Sequence, residues 1–294
     1  MTYQRIMIPL DGSELAERAL PYARSIALNK NSELILFAVS VTTSSDRMDR
    51  LMQSYLELKA KSLESEGLNV SIEVAYGSVA DEIINFSDKN NIDLIIISSH
   101  GYSGIKRWML GSIAQKVLYG TCVPVLLIKS KSPEVANIQF KKVLITLDGS
   151  SFSETPISYI EELTKGIEIE TEVTLLQVIE PPIVPSYGSR PINPKWGKYR
   201  DELWSETQQQ ATKYLENMQA TLKGRGIKTK LQIIQGDVAK NIIQTAKTEK
   251  VDLIAMATHG RTGVSHWVYG SIANKIIEDS PQPIMLVRPS QPVE

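Results

Sequence analysis

The chain states one pattern twice, and that repeat limits what it can fold into. Ile6-Met7-Ile8-Pro9-Leu10-Asp11-Gly12-Ser13 returns as Val143-Leu144-Ile145-Thr146-Leu147-Asp148-Gly149-Ser150, at an offset of 137. Ser98–Leu118 returns as Ala257–Ile277 at an offset of 159. Nine of those 21 positions are identical, among them His100/His259, Trp108/Trp267 and Gly111-Ser112/Gly270-Ser271. Two unrelated domains would not match both segments in the same order, so a repeat is the first fact to settle. With 294 residues there is room for two domains of ordinary size, each able to bury its own core.

Within the first copy, apolar runs rich in β-branched residues fall at Arg5–Leu10, Leu34–Val39, Val70–Tyr76, Asp93–Ser98 and Val123–Ile128, and predict five buried strands. Between the first two, Ala16, Ala19, Leu20, Ala23, Ile26 and Ala27 form one apolar stripe at helical spacing. Leu51–Leu63, Asp81–Lys89 and Ser112–Tyr119 give further helices. Strands alternating with helices imply a parallel sheet with crossover connections. The second copy keeps the order, so the expected architecture is α/β, two tandem doubly wound five-stranded parallel-sheet domains over residues 1–130 and 138–294. Lys129–Gln139, polar with one proline, reads as the linker.

The copies differ in length. Val39 aligns with Val178 at an offset of 139, so about 20 of the extra residues enter the second copy after its second strand. They fall in the insertion Pro181–Trp204, which holds five prolines and Tyr187, Trp196, Tyr199 and Trp204. An insertion of this size serves as a lid, a partner surface or a structural extension. Its place after strand two predicts a more enclosed second site.

Open parallel sheets bind ligands beyond the carboxyl ends of their strands, where the strand order reverses. Each copy puts two polar segments there: Asp-Gly-Ser after strand one, and His-Gly, nine residues, Gly-Ser after strand four. If strands one and four are neighbours, the segments face one crevice. Glycine lets backbone N–H groups approach an anion, and a helix start adds donors and a positive dipole end. Ser112 and Ser271 offer a hydroxyl to phosphate or cap the helix, and the two roles can coexist. Asp11 and Asp148 accept from ribose hydroxyls or cap the helix that follows, and spacing alone leaves both readings open.

The Gly-x9-Gly-Ser spacing, with an aspartate after the first strand, resembles the universal stress protein family over nearly the whole chain. That resemblance implies a Rossmann-like fold of the adenine nucleotide alpha hydrolase type, and ATP or AMP as ligand, with Mg2+ arriving only on the nucleotide. The family's nucleotide-binding pattern is Gly-x2-Gly-x9-Gly-Ser/Thr. Gly101, Gly111 and Ser112 match it, as do Gly260, Gly270 and Ser271, but Ser98 and Ala257 stand at the opening glycine. A side chain there narrows the space beside ribose or phosphate. The contacts implied are Pro9, Asp11, Val39, Ser98, Gly101, Gly111, Ser112 and Ile113, and in the second copy Thr146, Asp148, Val178, Ala257, Gly260, Gly270, Ser271 and Ile272. Of these, Asp11 and Asp148 would meet ribose, the backbone of Val39 and Val178 adenine, and the N–H groups of Ile113 and Ile272 phosphate. The family also pairs domains through the last strand, here Val123–Ile128 and Gln282–Val287. One chain holding both would form an intramolecular pseudo-dimer that leaves room for a further homodimer.

Other classes are disfavoured. A net charge of −1 lacks the dense basic surface nucleic acid requires, and Lys106-Arg107 and Lys141-Lys142 read as solvated faces. No apolar run approaches the roughly 18 residues of a membrane span, and no signal-peptide pattern opens the chain, so the expectation is cytoplasmic. The single cysteine, Cys122, excludes an intrachain disulfide and is expected as a small buried hydrophobe. P-loop, Gly-x-Gly-x-x-Gly, His-Glu-x-x-His and Cys-x-x-Cys patterns are absent, so no metal site is expected. Of the three histidines, His100, His259 and His266, the first two sit in the glycine loops without a carboxylate near in sequence, which favours structural roles. Three functions follow in order: an adenine-nucleotide-binding regulatory or stress-response module without efficient catalysis, an interaction scaffold that binds none, and a slow ATP hydrolase.

Overall fold

The computed structural model describes residues 3–40, 46–101, 110–130, 132, 138–165, 170–181, 186–187, 190–191, 194–258 and 270–289. In the first half β1 (Arg5–Pro9), α1 (Glu14–Glu17), α2 (Leu20–Lys30), β2 (Glu33–Ser40), α3 (Asp46–Glu64), β3 (Asn69–Tyr76), α4 (Val79–Lys89), β4 (Leu94–Ser98), α5 (Ser112–Gly120) and β5 (Val125–Ile128) follow one another. The second half runs β6 (Lys142–Leu147), α6 (Ser151–Thr164), β7 (Glu172–Ile179), β8 (Ser186–Tyr187), β9 (Arg190–Pro191), α7 (Pro194–Gly224), β10 (Lys228–Gln235), α8 (Val238–Thr248), β11 (Leu253–Ala257), α9 (Ser271–Asp279) and β12 (Ile284–Val287).

The strands form one ten-stranded sheet in the order β10-β7-β6-β11-β12-β5-β4-β1-β2-β3. Pairing within each half is parallel, and β1 lies beside β4 with Ile6 opposite Leu94, just as β6 lies beside β11 with Val143 opposite Leu253. The order therefore reverses between strands one and four of each half, which puts their loops at one crevice. The halves join through an antiparallel pair, Leu127 opposite Ile284 and Val125 opposite Leu286. Both joining strands are buried throughout, as a covered edge requires. The outer strands β3 and β10 instead carry exposed Glu73, Lys228 and Lys230.

Each face of the sheet carries a core built from both halves. Ile6, Ile8 and Leu126 share one with Val143, Ile145 and Met285, and Met7, Ile35 and Leu127 share the other with Leu144, Ile254 and Leu286. Polar contacts cross the junction in matched pairs. The Tyr3 hydroxyl donates to the Tyr159 carbonyl at 2.9 Å, while at the equivalent positions Phe140 packs on Tyr22 with centroids 6.4 Å apart. Lys129 Nζ donates to the Ile277 carbonyl in the last turn of α9, and Arg288 Nη1 donates to the Tyr119 carbonyl in the last turn of α5 at 3.3 Å. A cation at the negative end of a helix dipole is favourable, and here each half supplies one to the other.

Several sequence expectations are corrected. The stripe from Ala16 to Ala27 is two helices, because Pro21 has no N–H and its ring would meet the carbonyl of Glu17. Cys122 is exposed, since it sits in the turn before β5 rather than in the strand. Within the insertion, residues 194–204 open α7, which has 31 residues against 19 in α3, and 186–187 pair with 190–191 as a short ribbon. The described part of the insertion is thus largely helix, begun by a proline at a position that needs no N–H. Among the described residues no helix is long and apolar enough to cross a membrane.

Candidate functional site

At the end of β1 the chain turns through Gly12, whose φ of +81° favours glycine. The turn is held by Asp11 Oδ1, which accepts from Ser13 N at 3.0 Å and Ser13 Oγ at 2.6 Å. Ser13 Oγ in turn accepts from Ala16 N and is the cap of α1. In the second half Gly149 has φ +86°, Asp148 Oδ1 accepts from Ser150 N and Oγ at 2.9 and 2.6 Å, and Ser150 caps α6. Between the two roles left open for the aspartates, helix capping therefore falls to the serine. The aspartate orients that serine through one oxygen. The other oxygen of Asp11 faces Gly101, where an added Cβ would overlap Oδ2. The loops after β1 and β4 meet at this point, and any side chain at 101 would have to displace the carboxylate.

The loop after β4 is anchored deeply. Ser99 is fully buried, its N–H donates to the Ile128 carbonyl at 2.8 Å, and its carbonyl accepts from Gly111 N at 2.8 Å. A Cβ on Gly111 would lie 3.1 Å from that carbonyl, so the glycine brings the start of α5 down onto the strand end. Gly111 itself occupies the N-cap position, with no side-chain hydrogen bond to cap the helix. Ser112 is the first helical residue, which corrects its expected capping role, and Ser271 stands likewise after Gly270 in α9. The first-turn N–H groups of α5 thus open toward the crevice with no capping side chain. Ser98, at the place of the family's opening glycine, is 5% exposed, and its Oγ lies 3.5 Å from the N–H of His100 in its own loop.

These segments border a cavity of about 230 Å³. All eight first-half candidates, Pro9, Asp11, Val39, Ser98, Gly101, Gly111, Ser112 and Ile113, line it. The sequence reading missed its apolar wall, formed by Phe37, Val79, Ile83 and Ile97. A signal existed: Phe37 shares a strand face with Val39, and Val79 and Ile83 share a helix face. The lining therefore combines apolar side chains with a carboxylate, hydroxyls and backbone N–H groups.

In the second half Thr146, Asp148, Val178 and Ala257 lie at the corresponding strand ends, and Gly270, Ser271 and Ile272 open α9. Gly260 and His259 lie outside the described residues. The helix start is looser here. Gly270 N reaches the Thr258 carbonyl at 3.4 Å, and a Cβ on Gly270 would stand 4.0 Å from it.

A duplicated pair beside both turns was not read from the sequence. Tyr55 donates to Glu17 Oε1 at 3.0 Å, and its equivalent Tyr214 donates to Glu154 Oε1 at 2.9 Å. Burial first, and the adjacent glutamate second, push both phenols above their usual range. Lys59 adds an ion pair to Glu17 at 2.7 Å, where the second half has Met218.

The profile of the universal stress protein family matches residues 2–129 and again 139–288. A universal stress protein of Methanocaldococcus jannaschii is 30% identical over 145 residues, covering 45% of this chain and 85% of that protein. One of Mycolicibacterium smegmatis is 25% identical over 231 residues, covering 77% and 71%. Among solved structures, a universal stress protein of Archaeoglobus fulgidus superposes with a TM-score of 0.75 at 22% identity, over 98% of this chain and 99% of that one. At that identity the likeness concerns the fold.

Proposed function

This chain belongs to the universal stress protein family, and from that premise we propose that its first-half cavity binds an adenine nucleotide, ATP or AMP, as a regulatory module rather than a catalyst. The observation that carries this reading is the split lining. Phe37, Val39, Val79, Ile83 and Ile97 offer an apolar wall suited to a planar base. Across from them, Asp11 offers a carboxylate to ribose hydroxyls, and the start of α5 offers N–H donors to phosphate. Gly101 and Gly111 support the same reading, because a side chain at either would fill the cradle or lift the helix away. Ser98 is compatible with it, being small and nearly buried beside its own loop. Magnesium fits only as a companion of the phosphates, held by them and by water, with Asp11 the one carboxylate lining the cavity among the described residues.

The test is direct. Purified protein is denatured, the supernatant is chromatographed for nucleotide, and ATP and AMP are titrated calorimetrically. Co-purified nucleotide, or saturable heat, is expected. The absence of both co-purified nucleotide and saturable heat overturns the proposal.

A further inference from the structure

We propose that His100 is a ligand-contacting donor of the first-half cavity, presenting Nε2–H to a phosphate oxygen, and that Ser99 and the backbone of Ser130 fix it in that tautomer. This rests on the reading of the cavity as a nucleotide site. Ser99 Oγ has two partners among the described residues: the N–H of Ser130 at 3.2 Å and His100 Nδ1 at 3.0 Å. A backbone N–H can only donate, so toward Ser130 the hydroxyl is an acceptor. Ser99 is fully buried, and its own proton must find an acceptor. Of its partners among the described residues, only Nδ1 can accept. A proton on Nδ1 would strand the hydroxyl proton in a buried position without an acceptor, which is unfavourable. Neutral His100 therefore carries its proton on Nε2.

Two placements aim that proton at phosphate. His100 lines the cavity, and with Nδ1 turned to the buried serine, Nε2 lies on the side of the ring away from it. The His100 Cα would lie 3.6 Å from a Cβ on Gly111, so the residue stands where α5 begins, beside the first-turn N–H groups. Ser130, just past β5, also accepts at its carbonyl from Arg18 Nη1 at the end of α1, which holds this backbone in place. The second half cannot repeat this arrangement. Pro289 stands at the equivalent of Ser130 and has no N–H to donate.

Nitrogen-15 NMR of the histidine rings in the intact, nucleotide-free protein reads the tautomer directly, with His100→Gln identifying the signal. Nε2–H is expected, and Nδ1–H overturns the proposal whatever the cavity binds. Ser99→Ala should mix the tautomers, and an unchanged spectrum removes Ser99 from the scheme. If Ser99→Ala does not fold, the wild-type spectrum and the next pair still decide. Glutamine places its amide nitrogen near the position of Nε2, and asparagine near that of Nδ1. His100→Gln should hold ATP and AMP within roughly threefold of wild type, while His100→Asn and His100→Ala weaken both about tenfold or more. Adenosine affinity should not change in any of them. Equal binding by the Gln, Asn and Ala variants, or equal losses with adenosine, overturns the phosphate contact. Wild-type binding in the same titrations shows whether the nucleotide site itself stands.

Discussion

In the first half the amide of Gly111 donates to the Ser99 carbonyl at 2.8 Å, whereas in the second half the Gly270 amide stands 3.4 Å from Thr258. The same halves agree closely at the other loop, where Asp11 and Asp148 both accept a serine hydroxyl at 2.6 Å. The difference separates two levels of control. Strand order and the Asp-Gly-Ser turn follow from the sheet, and the sheet is the same in both halves. The tightness of the helix start depends on individual neighbours, and those differ: Ser99 against Thr258 and, just past the last strand, Ser130 against Pro289. Two sites built on one plan are therefore not expected to bind alike.

The sharpest way to break that comparison is Gly101→Val. Its side chain overlaps the Asp11 carboxylate, so first-half nucleotide affinity should fall about 100-fold or more, near 2.7 kcal/mol. Calorimetric stoichiometry then decides between the halves: a drop from two to one means both bind, and a drop from one to none means that the first binds alone. Next in size is Lys129→Met. Lys129 is 7% exposed and gives the last turn of α9 a charged donor, so its loss should cost about 2 kcal/mol in urea unfolding. Its counterpart Arg288→Met, at 3.3 Å and only half-buried, should cost less than about 1 kcal/mol.

A smaller effect distinguishes the glycines that cap α5 and α9. Both have extended backbones that alanine can adopt. Gly111→Ala pushes on the Ser99 carbonyl and should lower stability by about 1 kcal/mol. Gly270→Ala meets only ordinary contact among the described residues and should be neutral or stabilise by about 0.5 kcal/mol, because it restricts the unfolded chain. Equal thermal shifts in the two variants would mean that the halves are equally tight.

The smallest expected effect lies at alkaline pH. The phenols of Tyr55 and Tyr214 are raised above 10.0, mainly by burial. Above that pH the unfolded chain releases these protons before the folded one does, so stability is whole below about pH 10 and declines as pH rises beyond it. Tyr55→Phe and Tyr214→Phe should each flatten that decline in denaturation curves taken across it. A flattening by only one of them would show that the duplicated Tyr–Glu pairs are not equivalent in solution.

The sequence by itself determined the duplication, the five strands of each half and the two loops at their carboxyl ends. These are local properties: a repeat is visible by alignment, and a buried strand by its run of β-branched residues. Through spacing and family resemblance it also singled out eight residues that line the first cavity. Only the tertiary structure showed that Gly101 is glycine because of Asp11, 90 positions earlier. It alone brought Phe37, Val79, Ile83 and Ile97 to one wall, gave the capping role to Ser13 and Ser150, and joined Ser130 through Ser99 to His100. Those relations connect residues from different strands and loops, and contacts between distant positions leave no periodicity in the chain. They exist once β1 and β4 lie side by side, and that adjacency belongs to the packed sheet.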